Sequence, residues 1–122
     1  MKRHAIFFLA LLFPGLCPAA ELRDLKVLYV GNATSARAAD FKAFLGTNVA
    51  RVAVAARVGF DPALANEFDV VLLDWPQSES QGNFPPRKSP LGGRDAWVKP
   101  TVLLGSAGLH MAIVWDVKGG FG

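Results

Sequence analysis

The chain has 122 residues, 52% of them hydrophobic and 19% charged, with a formal net charge of +3. That length holds one small domain, and the apolar content excludes an intrinsically disordered chain. A single cysteine, Cys17, excludes an intramolecular disulfide, and the lack of any block of like charge removes the case for nucleic-acid binding.

The N-terminus carries an address. Lys2 and Arg3 form a short positive region, residues 5–13 (A-I-F-F-L-A-L-L-F) are continuously apolar, and Pro14 and Gly15 break the run. Small residues follow at Ala19 and Ala20. This order reads as a secretory signal over residues 1–20, cleaved after Ala19 or Ala20. The apolar run is well short of the roughly 20 residues that span a bilayer. Lipidation of Cys17 is disfavoured by Leu16, where bacterial lipoprotein signals carry a small residue. Losing Lys2 and Arg3 leaves eleven basic residues against ten acidic ones, so the exported domain of residues 21–122 is nearly neutral. No membrane contact is expected after cleavage.

Residues 26–30 (K-V-L-Y-V) predict a first strand, ended by Gly31 and Asn32. Thr34 or Ser35 can cap a helix over 36–45, with Phe41, Phe44 and Leu45 on one face and Gly46 as its stop. Residues 49–55 predict a second strand. Asp61-Pro62 signals a short helix over 62–67, with Asp as cap and Pro in the first turn. Residues 68–75 (F-D-V-V-L-L-D-W) are the third strand. Val70, Val71, Leu72 and Leu73 do not alternate with polar residues, which suits burial on both faces. Residues 76–99 are rich in Pro, Gly and Ser and read as a long loop, with Trp97 and Val98 as a short edge piece. Residues 100–104 predict a fourth strand and Gly105 to Gly108 a tight turn. Residues 109–117 fit helical and strand periods alike, and helix is chosen because it continues the strand-turn-helix order.

Strands alternating with helices predict an α/β domain: three layers around a mostly parallel four-stranded sheet. The layout is flavodoxin-like. Such sheets usually carry about five strands, so the fold is read as an incomplete version of a longer domain.

In a parallel sheet, Asn32, Ser35, Asp74 and Ser106 would share the carboxyl edge, where α/β folds bind ligands. The Gly31–Ser35 turn before a helix N-terminus suits a polar or anionic group, but it contains neither a dinucleotide fingerprint nor a phosphate-loop lysine pattern. The context of Asp74, F-D-V-V-L-L-D-W-P, and the later Ser106-Ala107 pair resemble the phosphoacceptor strand and switch position of response-regulator receiver domains. That resemblance implies phosphorylation of Asp74 with Mg²⁺. Gly31 and Asn32 stand where receivers carry their acidic pair. L-G-S-A-G around Ser106 resembles the nucleophile turn of hydrolases and of class I glutamine amidotransferase-like proteins, with Ser for Cys and Leu104 for the first Gly. The second resemblance implies a nucleophilic Ser106, with His110, four residues on, as a candidate base. Ser106 also suits a helix cap. His110, the one histidine beyond the signal, does not make a zinc site.

The sequence therefore predicts an exported ligand-binding or scaffold domain. The alternatives are a serine hydrolase using Ser106 and a receiver-like interaction module. Its partner is a small molecule or a protein, and no motif names a cofactor.

Overall fold

The computed structural model describes residues 21–80 and 87–117. The expected signal, including Cys17, lies outside the described residues, as do residues 81–86 of the long loop. The chain builds β1 (Lys26–Gly31), α1 (Ala36–Gly46), β2 (Arg51–Ala56), β3 (Val70–Trp75), β4 (Thr101–Gly105) and α2 (Ala107–Val114), with 3-10 turns at Leu22–Asp24, Pro62–Glu67 and Gln77–Glu79. All four strands are parallel, in the order β2-β1-β3-β4. This is a small flavodoxin-like α/β arrangement.

The caps act as expected at two positions. Ser35 accepts from the Ala38 amide at 3.1 Å and opens α1. Asp61 accepts from Ala63 at 3.0 Å and opens the turn at Pro62–Glu67. That segment is 3-10 rather than α-helical, and six residues are too few to repay α nucleation. The helix after Ser106 begins at Ala107, two residues before the expected start, and closes on Asp116 in the left-handed region (φ 49°). Gly46 lies inside α1, and Thr47 takes the cap with ordinary helical angles. β2 starts at Arg51 because Asn48 and Val49 still bond back to the Leu45 carbonyl. Trp97 and Val98 form no strand. Trp97 packs on the core and donates from Nε1 to Thr101 Oγ1 at 2.8 Å.

One face of the sheet holds the main core. Leu28, Val30, Val71, Leu73 and Trp75 meet Ala65, Phe68, Leu91, Ala107 and Met111 there. Burying each large apolar side chain contributes about 1.5–3 kcal/mol, and Val30, Val71 and Leu73 have no exposed surface. The other face carries α1. It buries Ala38 fully and stacks Phe41 on Tyr29, while Phe44 stays 67% exposed. Of the predicted stripe, Phe41 and Leu45 are half-buried and Phe44 alone lies outside the packed side. The third strand also departs from expectation. Val71 and Leu73 are buried, but Val70 and Leu72 on the α1 side are only half-buried. α1 packs on β1 and β2 and leaves this part of β3 thinly covered.

Candidate functional site

The carboxyl ends of the strands converge on one edge, and Asp74 lies just beneath it. Its carboxylate is wholly buried on the α1 face. Arg37, the second residue of α1, grips it with both arms: Nε to Oδ2 at 2.5 Å and Nη2 to Oδ1 at 3.1 Å. The Tyr29 hydroxyl donates a short hydrogen bond to Oδ2. Gly31 makes room for this phenol, since a Cβ there would lie 2.9 Å from the Tyr29 oxygen. Burial, and then the hydrogen bond and charge of Asp74, hold the Tyr29 hydroxyl well above its usual pKa. The hydrogen bond to Asp74 likewise raises the Arg37 guanidinium. Asp74 thus links β3 to α1 and positions Arg37, and its oxygens are occupied by these donors.

Arg57, just past β2, crosses the edge from the other side. It donates to the Asp74 carbonyl at 2.8 Å and pairs with Glu79 at 2.7 Å. Its guanidinium also lies 4.5 Å from the Trp75 ring centroid, and the His110 ring packs against Trp75 at 3.9 Å between centroids, tilted by 40°. Arg57, Trp75 and His110 therefore form one continuous contact on the α2 face. Burial, and then the nearby Arg57 charge, lowers the His110 pKa and so disfavours the charged imidazolium.

Two clefts open beside the Arg57–Glu79 pair. One, of about 290 Å³, is walled by Gly31, Asn32, Thr34, Ala56 and the pair itself. The other, of about 370 Å³, shares the pair and Val58 and is walled besides by Phe60, Trp75, Lys88 and Ser89. Asn32 reaches Glu79 with its Nδ2 at 3.3 Å and accepts from Thr34 at 3.2 Å. Among the described residues, the buried indole N–H of Trp75 has no hydrogen-bond acceptor.

Of the residues singled out in the sequence, Asn32 lines a cleft, and Ser35 is committed to capping α1 and to the Asn32 carbonyl. Ser106 occupies the N-cap of α2 with an ordinary backbone (φ −83°) and makes no side-chain capping bond. The expected cap is thus present in position only. The left-handed residue of this turn is Gly105 (φ +64°), where a Cβ would come within 2.7 Å of the Trp75 carbonyl oxygen. His110 is buried against Trp75. Asp74 sits on the opposite face of the sheet, so it does not orient that imidazole.

Tyr29, Arg37, Arg57, Glu79 and Lys88 escaped the sequence reading. The usable signal was the pair of arginines just beyond the first two strands, each able to reach the sheet edge. Among the described residues, no group of three or more His, Cys, Asp or Glu side chains could hold a metal ion, and no helix is long and apolar enough to cross a membrane.

Compared with protein-family models, curated proteins and solved structures, the chain matches none. No family match supports the amidotransferase resemblance, while the parallel sheet with flanking helices is compatible with a flavodoxin-like fold.

Proposed function

We propose that the chain is an exported domain that binds a small, acceptor-rich ligand at the carboxyl edge of its sheet. The observation that carries this reading is the pair of clefts meeting at Arg57 and Glu79, at the edge where open α/β sheets take ligands. The larger cleft offers two cationic donors, the Arg57 guanidinium and the Lys88 ammonium, against one carboxylate, Glu79. A carboxylate-bearing molecule of modest size complements that set. Asn32 and Thr34 supply polar contacts on the other side, and Asp74 serves by holding Arg37 and the strand end in place.

A nucleophilic role for Ser106 needs a base oriented by an acid. Asp74 is separated from His110 by the sheet and is already held by Arg37 and Tyr29. The binding reading makes no demand on that geometry.

Titrating ¹⁵N-labelled protein with a panel of mono- and dicarboxylates tests the reading. Saturable shifts are expected at Asn32, Arg57, Val58 and Glu79, and Arg57→Met should abolish them. Unchanged spectra across the panel at millimolar concentration would refute a carboxylate-binding role. A fluorophosphonate probe that labels Ser106 would instead establish the hydrolase.

A further inference from the structure

We infer that β4 is an interface between two copies of this chain, joined edge to edge across a two-fold axis at Leu103. β4 ends the sheet, with no strand on its outer side among the described residues. It exposes apolar side chains on both faces, Val102 at 47% and Leu103 at 41%. The adjoining α2 exposes Leu109 at 58% and Ile113 at 39%, one turn apart. A helix apolar on every side belongs inside an assembly, and an open apolar edge invites another strand.

Charge and register both fit a second copy of the chain. Residues 100–115 contain no Asp, Glu, Lys or Arg. A two-fold interface sets each patch against itself, so charge near the axis would meet like charge; here there is none. The β3 side of β4 is marked by the Pro100 carbonyl, which accepts from Val71, and by the Ser106 amide, which donates to Trp75. Backbone groups alternate along a strand, so Thr101, Leu103 and Gly105 turn their polar groups outward. An antiparallel pair centred on Leu103 sets it against the partner's Leu103 and sets Thr101 against the partner's Gly105. All three outward positions then meet outward positions. Val102 falls opposite the partner's Leu104 on the α1 face. On the other face the two α2 helices lie on the same side of a continuous eight-stranded sheet.

Analytical ultracentrifugation of the full chain, with hydrogen exchange at Leu103, tests this. We expect a concentration-dependent dimer and a protected Leu103 amide. Leu103→Lys should weaken the dimer about 100-fold or more by placing two like charges at the axis. Leu103→Pro removes only an outward donor, which an edge strand tolerates, and should also yield monomers with native circular dichroism. If Leu103→Lys fails to fold, Leu103→Pro and Ile113→Lys still decide the matter. A monomer at all concentrations overturns the proposal, whether its Leu103 amide exchanges freely or is covered within the chain. So does a dimer that survives Leu103→Pro and Ile113→Lys.

Discussion

Arg37 and Asp74 form a two-armed ion pair that ties α1 to β3, with the carboxylate wholly buried and the arginine side chain about half-exposed (47%). The asymmetry of burial makes the two partners unequal. Removing Arg37 strands a buried charge. Removing the charge of Asp74 leaves a guanidinium that water can reach. Arg37→Met should therefore cost about 2–3 kcal/mol, while Asp74→Asn should cost only about 1 kcal/mol. Urea denaturation of both variants measures the difference, and equal costs would remove the argument.

Tyr29 donates into the same carboxylate, and burial and Asp74 raise its pKa. The unfolded tyrosine ionises near pH 10. Above that pH the unfolded chain has lost a proton that the folded chain keeps, so this contribution to stability declines as pH rises. Because Tyr29 is the only tyrosine, the tyrosinate band in the pH-difference absorbance spectrum comes from it alone, once the change from the three tryptophans is subtracted with a Tyr29→Phe control. Tyrosinate should appear with unfolding, not before it. In Asp74→Asn the ionisation should move back toward pH 10, because the neutral amide no longer repels the phenolate.

His110 responds in the opposite range. Its folded pKa is lowered by burial and by Arg57, so the neutral form is favoured in the native state. Below the unfolded value of about 6.5 the unfolded chain takes up a proton that the native chain refuses, and stability falls with pH. The slope from this group is at most about 1.4 kcal/mol per pH unit. Comparing thermal unfolding between pH 5 and 8 for the parent and His110→Gln isolates it. The variant should show a shallower decline.

Gly105 carries the left-handed angle that turns β4 into α2. Gly105→Ala should cost about 2–3 kcal/mol, from the angle and from the clash with the Trp75 carbonyl. Gly93, which has open space around its Cβ position, provides the control. Gly93→Ala should change the denaturation midpoint little.

Much of the fold was legible because its signals are local. The apolar runs of β1 and β3 report the need to bury side chains over four to six residues, and Ser35 and Asp61 report unpaired amides within one turn of themselves. The errors arose where a neighbour decided the outcome. Phe44 has the spacing of a buried residue and is exposed, because α1 offers the sheet the Ala38 and Phe41 side instead. Val70 and Leu72 look like two-sided core, yet only the β-strand neighbours and the α2-face core are close enough to cover this strand well.

Asp74 shows the same division within the candidate site. Its position after four apolar residues marks the end of a strand, and that much follows from covalent order and burial. Its partners lie 37 and 45 residues away in the chain. No periodicity links Arg37 or Tyr29 to Asp74, and only the parallel register of β1 and β3, with α1 laid across them, brings their polar atoms together. The sequence by itself therefore determined the alternation of strands and helices, their caps and the edge on which polar residues gather. Tertiary packing decided the strand order, the face each side chain occupies, and the pairing that buries Asp74 while leaving Arg57 and Glu79 beside open clefts. Those outcomes depend on distances between segments that the chain order leaves free.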